Sequence, residues 1–142
     1  MKRSAALAIL SRDHHHALVV AQKLKRADAE TAEAARAQFL AYWDAEGRRH
    51  FQLEEELLLP AFAGHGDARH PLVLQVLGDH VTIRSRAVQL AATAEPTVTA
   101  LHELGSELAA HVRLEERELF PLIEAAIPAG ELLALARALD QG

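Results

Sequence analysis

The chain of 142 residues contains no cysteine. Disulfide scaffolds, iron–sulfur clusters and thiolate zinc sites are therefore excluded. Aromatic residues make up only 4% of the sequence and β-branched residues are thinly spread, while Leu and Ala dominate the apolar half. That balance favours helix over sheet, and no segment alternates apolar and polar residues as a half-buried strand does. A long basic run is missing, and the net charge is −5 with histidines neutral. Nucleic-acid binding gains little support from such a surface. Long apolar runs are missing too. The start, MKRSAALAIL, has a basic tip, but its apolar run covers only Ala5 to Leu10. That is too short for a secretory signal, and no later stretch could span a bilayer. The expectation is a cytoplasmic protein with no membrane partner, built as a single domain over residues 1–142.

Two stretches stand out against this background. HFQLEEELLLP, from His50 to Pro60, returns without a gap as HVRLEERELFP, from His111 to Pro121, at a constant offset of 61. In each copy a His is followed four residues later by a Glu: His50 and Glu54, then His111 and Glu115. On an α-helix that spacing places both side chains on one face, about 6 Å apart.

Apolar residues elsewhere recur at helical spacing. A first helix is expected over residues 4–27, with His14 inside its apolar stripe and His15 and His16 rotated off it onto a solvated face. A second should run over residues 31–59 along Ala35, Phe39, Tyr42 or Trp43, Glu46, His50, Leu53, Glu54 and Leu57. Pro60 should end or kink it. Residues 61–70 read as a loop with exposed His65 and His70, the latter a candidate cap for a helix starting at Pro71. That third helix carries His80 on its stripe. The fourth, over residues 97–120, presents Leu101, Leu104, Leu108, His111, Glu115, Leu119 and Leu122, with His102 off the face and solvated. Helix can continue past Pro121 to residue 127, and residues 131–139 form a short amphipathic cap. Short connections make neighbouring helices antiparallel, so the expected fold is all-α: an up-down-up-down four-helix bundle with a short C-terminal helix.

Each long helix thus aims at least one ionisable group inward: His14, His50 with Glu54, His80, and His111 with Glu115. Two unpartnered carboxylates in an apolar core would each cost several kcal/mol. Among basic residues only Arg84 approaches the inner faces. A bound cation pair resolves the imbalance. Imidazole and carboxylate without sulfur suit iron, manganese or zinc, and a carboxylate can bridge two ions.

These residues resemble the hemerythrin-like family, the HHE cation-binding domains. The likeness rests on His14 in LSRDHHHAL, His50 and Glu54 in HFQLEE, His80 in DHVTIR, and His111 and Glu115 in HVRLEERELFP. It implies a four-helix bundle around two iron ions, with manganese or zinc as substitutes, bridged by oxo, hydroxo or water. Dioxygen, another small diatomic molecule or peroxide would be the ligand. Oxygen-carrying members place two histidines one turn apart on the third helix. Here Val76 stands one turn before His80, which argues for oxygen, redox or nitric oxide sensing or for iron handling, and against oxygen transport. A di-iron enzyme turning over peroxide, dioxygen or nitric oxide is the alternative. No added acid–base group marks the chain as one, so a non-catalytic role is expected. A third reading is a helical interaction module with a vestigial polar core. Sensing would require a protein partner or a second copy of the chain. Within the histidine triplet the stripe favours His14 as ligand, with His15 next. Glu46, Glu55 and Glu116 are candidates to support the ligands from behind.

Overall fold

Helix α1 (Ala5–Lys25) starts where Ser4 caps it, the Ser4 Oγ accepting from the Leu7 N–H at 3.4 Å. The computed structural model describes residues 3–141. Helix α2 spans residues 32–63, α3 is Pro71–Ala92, α4 spans residues 98–126, and α5 is Ala129–Gln141. Among the described residues there is no strand. The caps follow side-chain chemistry. His70 Nδ1 accepts from the Leu72 N–H at 3.0 Å, with Pro71 filling the first turn of α3. Thr97 Oγ1 accepts from the Ala100 N–H at the start of α4. Both arrangements satisfy helix-end donors that have no partner inside the helix.

Two apolar clusters show how the four long helices run. One joins the second half of α1 (Ala17–Leu24) to the first half of α2, the second half of α3 (Ile83, Ala87, Leu90) and the first half of α4. The other joins the first half of α1 (Ala6, Leu7, Leu10) to the second half of α2, the first half of α3 (Val73, Val76) and the end of α4. Only an up-down-up-down bundle brings those halves together. Helix α5 closes the second cluster with Leu132, Leu135, Ala136 and Leu139. Between the clusters lies a layer of polar side chains. Helices α1 and α4 come close together at Gly105, where a Cβ would meet the Ala21 carbonyl oxygen at 2.7 Å.

Pro60 does not end α2, which continues to Ala63, so the following loop is residues 64–70 and not 61–70. The reason lies just upstream. Residues Glu54–Leu58 form a π turn, closed by the Leu59 N–H donating to the Glu54 carbonyl five residues back. The wider turn gives the proline ring room against the preceding turn. The repeat reproduces this in α4, where Glu115–Leu119 is a π turn, the Phe120 N–H reaches the Glu115 carbonyl, and Pro121 follows. A further π turn, Trp43–Gly47, precedes the first copy.

These turns shift the inward face by a residue. Gly47 is buried in place of Glu46, Leu58 in place of Leu57, and Ile123 in place of Leu122. The inner residues His50, Glu54, Leu58 and Phe62, and likewise His111, Glu115, Leu119 and Ile123, recur at intervals of four. In a regular α-helix each such step would rotate about 40° off the face; the π turns absorb the excess. Gly47 also has a packing reason to be glycine, since a Cβ there would sit 2.8 Å from Trp43 Cε3 and 2.9 Å from Tyr42 Cε2.

Candidate metal centre

The polar layer holds His14, His50, Glu54, His80, His111 and Glu115, each no more than 4% exposed. They are the six side chains singled out from the sequence. They gather as two overlapping groups, His14–His50–Glu54–Glu115 and Glu54–His80–His111–Glu115, with one ligand-type atom from each residue within 4.8 Å of the others in its group. Helices α1 and α2 thus supply the histidines of one group, α3 and α4 those of the other, and both carboxylates belong to both. His14 Nε2 lies 2.8 Å from Glu115 Oε1, and His80 Nε2 lies 3.0 Å from Glu54 Oε1. His50 Nε2 is 3.2 Å from Glu54 Oε2 and His111 Nε2 is 3.4 Å from Glu115 Oε2, but neither contact is aligned as a hydrogen bond. These four atoms are left buried without a hydrogen-bond partner.

Behind every ring stands another carboxylate. His14 Nδ1 is 2.6 Å from Glu116, and His80 Nδ1 is 2.6 Å from Glu55. His50 Nδ1 is 3.0 Å from Asp13, and His111 Nδ1 is 3.0 Å from Asp79. A carboxylate only accepts, so Nδ1 is the donating nitrogen in all four rings. In the neutral imidazole Nε2 then presents its lone pair to the centre, toward Glu54 and Glu115. Lone pair against carboxylate is unfavourable unless a proton or a metal ion lies between.

The electrostatics express the same conflict. Burial works against the charged form of His14, yet Glu115 and Glu116 outweigh it and raise its pKa to about 9. Burial likewise opposes protonation of His50, and Glu54, Asp13 and Glu115 overcome it, holding the ring well above its usual value. His111 is raised against its burial by Glu115 and Asp79. For Glu115, burial favours the neutral acid, but His111, His14 and His50 hold the carboxyl well below the usual range.

Of the three glutamates expected behind the ligands, Glu55 and Glu116 stand there. Glu46 does not: it hydrogen-bonds exposed His16 instead. Asp13 and Asp79 complete the set and were missed. Their signal was the Asp-His pair shared by α1 and α3, Asp13-His14 and Asp79-His80, which accompanies the Glu-Glu pair shared by α2 and α4. In each pair one member faces the centre while its neighbour supports a histidine of another helix. Arg84 stays at the periphery, bound to Glu55 at 3.1 Å and lying over the Trp43 and Phe51 rings. Phe51 stacks on His80, with ring centroids 3.8 Å apart, and Phe120 stacks on His14 at 5.5 Å. Phe39, Tyr42 and Trp43 belong to the apolar cluster beside the centre, Trp43 packing edge-on against Phe51.

The remaining histidines stand apart. His15, His16 and His65 are exposed, and His70 caps α3. His102, expected to be solvated, is half-buried and donates from Nε2 to the Ala27 carbonyl at 2.7 Å, which ties α4 to the end of α1. No helix among the described residues is long and apolar enough to cross a membrane.

The sequence model of one family, described as the hemerythrin HHE cation binding domain, matches residues 5–123. No match was found among curated proteins or among solved structures.

Proposed function

Because the chain belongs to the hemerythrin HHE cation-binding family, we propose that its buried histidines and glutamates hold two iron ions, one in each overlapping group. His14 and His50 would serve one ion, His80 and His111 the other, with Glu54 and Glu115 bridging both. Manganese or zinc would suit the same oxygen and nitrogen donors. The observation that carries this reading is the orientation of the rings. All four donate Nδ1 to a supporting carboxylate, which leaves Nε2 free to face the centre. Four buried atoms without partners, His50 Nε2, Glu54 Oε2, His111 Nε2 and Glu115 Oε2, are where ligand bonds would go.

Bound iron would supply redox chemistry toward dioxygen, nitric oxide or peroxide, and the residues supply the setting. Phe51 and Phe120 cover the His80 and His14 rings. Asp13, Glu55, Asp79 and Glu116 fix the ring orientation and raise ligand basicity. Val76, one turn before His80, is fully buried and offers no donor. Two imidazoles and two shared carboxylates for each ion would leave room for an exogenous ligand. The missing donor at Val76 supports sensing of oxygen, nitric oxide or redox state, or iron handling, over oxygen transport. Glu115→Ala tests the reading. It should lower iron content and melting temperature together, because metal binding adds to folding free energy. Full iron content with unchanged stability in that variant would overturn it.

A further inference from the structure

Helix α3 presents no charge to solvent. Every exposed residue along it is uncharged, whereas α1 exposes Arg12, α2 Glu56, α4 Arg113 and α5 Arg137. The charged residues that α3 does carry are half-buried and held within the chain. Asp79 accepts from His111 at 3.0 Å, Arg84 donates to Glu55 at 3.1 Å, and Arg86 donates to Glu107 at 2.6 and 2.8 Å. In place of charge the outer face carries Leu74, Leu77, Val81 and Val88, between 37% and 71% exposed. They are four of the seven large apolar side chains exposed among the described residues. Apolar residues scattered singly need no explanation, but a stripe of them on one helix marks an interaction surface.

Leu74, Val81 and Val88 recur at intervals of seven residues. That is the spacing of a helix that packs along another helix. The inward side of α3 has a seam of the same period, Val73, Val76, His80, Ile83, Ala87 and Leu90, which is used up inside the bundle. The outer seam is that pattern moved by one residue and left open to solvent. Its one charged position is Arg84, which turns aside to Glu55. Beside Val88, α2 and α3 leave a groove of about 450 Å³, walled by Leu40, Trp43, Ala87 and Ala91. The charged residues at its rim, Asp44 and Arg48, bind each other at 2.7 Å.

We propose that the outer face of α3 docks a second copy of this chain, the two α3 helices running antiparallel about a two-fold axis at Val81. Such an axis sets Val81 against Val81 of the second copy, and Leu74 against Val88. Leu74 is then the knob that fills the groove beside Val88 of the second copy, and each copy offers both halves of the fit. Charge selects this occupant. Close to a two-fold axis a charge would meet its own like, so a face free of charge suits self-pairing. A different soluble partner would be selected by opposite charges. A helix lying on a membrane carries lysines or arginines beside its apolar face. Neither kind of charge stands among the exposed residues of α3. The proposal uses no metal ligand and stands independently of the metal centre.

Sedimentation across the micromolar to millimolar range, where a small helix–helix interface dissociates, should show reversible association to twice the mass of one chain. Val81→Glu sets two carboxylates together at the axis and should raise the dissociation constant at least about tenfold. Its circular dichroism should be unchanged, because the position is exposed. Mixing it with Val81→Lys should restore the dimer. Leu133→Glu, the same change at an exposed apolar residue of α5, should behave as wild type. Because the chain lacks cysteine, introduced thiols report the register. Val81→Cys should form a disulfide-linked dimer on mild oxidation. Val88→Cys alone should not, since its two sulfurs would lie about 21 Å apart along the helices, beyond the reach of a disulfide. An equal mixture of Val88→Cys and Leu74→Cys should link. A wild type that stays monomeric throughout, a dimer indifferent to Val81→Glu, or linkage of Val88→Cys alone as fast as Val81→Cys would each overturn the proposal. So would a monomer that pellets with phosphatidylcholine vesicles and loses them in Val81→Glu, which would make the occupant a lipid surface.

Discussion

Asp79 on α3 accepts a hydrogen bond from Nδ1 of His111 on α4, 3.0 Å away, although its neighbour in sequence, His80, is supported by Glu55 of α2. Support is therefore exchanged between helices, and losing one carboxylate should loosen a ligand without removing it. Asp79→Ala should weaken metal binding by about 10–100-fold, and Asp13→Ala, which frees His50, should do the same. Glu46→Ala, which disturbs only exposed His16, should leave affinity unchanged. Competition with a chromogenic chelator measures all three, with circular dichroism to check the fold. Equal affinity in wild type and both Asp variants would show that the outer carboxylates do not position the rings.

Close packing of α1 on α4 gives a prediction independent of metal. A methyl at Gly105 would meet the rigid Ala21 carbonyl at 2.7 Å and Leu24 Cβ at 2.9 Å. Gly105→Ala should therefore destabilise by about 1–3 kcal/mol. At Gly78, in mid-α3, an added Cβ meets nothing within 4 Å, so Gly78→Ala should stabilise by about 0.5–1 kcal/mol through helix propensity. Urea unfolding of the two metal-free variants reads both signs, and a stabilising Gly105→Ala would contradict the packing described.

Much of this architecture was legible in the sequence because the periodicity of apolar residues states which faces meet. The six central side chains were legible for the same reason, since each interrupts an apolar stripe. Pro60 misled because a proline inside a helical pattern ordinarily ends it. Nothing in local propensity announces a π turn; only the run of inward positions at intervals of four, from His50 to Phe62, carries that signal. Asp13 and Asp79 are hard to read for a different reason. Each lies off its own helix's inward face, and its partner is on a neighbouring helix, so only the repeated Asp-His pair, and no spacing along one segment, hints at the contact. His102 was misjudged similarly, since its acceptor is a backbone carbonyl at the end of α1.

The histidine–carboxylate conflict sets a pH dependence. In the metal-free protein His14 has a folded pKa of about 9 against an ordinary 6.5. Its stabilising contribution is therefore full below pH 6.5 and is lost as pH rises toward 9. Glu115 is held well below 4.5, so its contribution is present above pH 4.5 and is lost as pH falls through its folded value. Metal-free protein should be most stable between pH 4.5 and 6.5, with a melting temperature that declines from 6.5 to 9. Metal must displace the ring protons, so the stabilisation that metal adds should grow over that same range. Calorimetry across pH, with and without chelator, checks both slopes. A metal-free melting temperature that stays level between pH 6.5 and 9 would contradict the coupling.

Val76 bears on reactivity. It places a buried hydrocarbon one turn before His80, where a second α3 histidine would add a donor. The reduced iron protein should then be oxidised by air irreversibly, without taking up and releasing dioxygen over repeated cycles. Stopped-flow mixing with oxygen, followed by deoxygenation, distinguishes the two behaviours. Full recovery of the reduced spectrum on removing oxygen, cycle after cycle, would support oxygen transport and overturn the assignment. Val76→His should shift the behaviour toward reversibility if the new ring reaches the metal.

The central claim is that two overlapping groups share Glu54 and Glu115, and metal stoichiometry tests it most directly. Metal-free protein titrated anaerobically with ferrous iron, then desalted and analysed for iron and protein, should retain two ions per chain. His14→Ala and His80→Ala should each retain one, and Glu115→Ala should hold neither tightly. Wild-type protein that retains a single ion, or none, would contradict the shared-carboxylate centre.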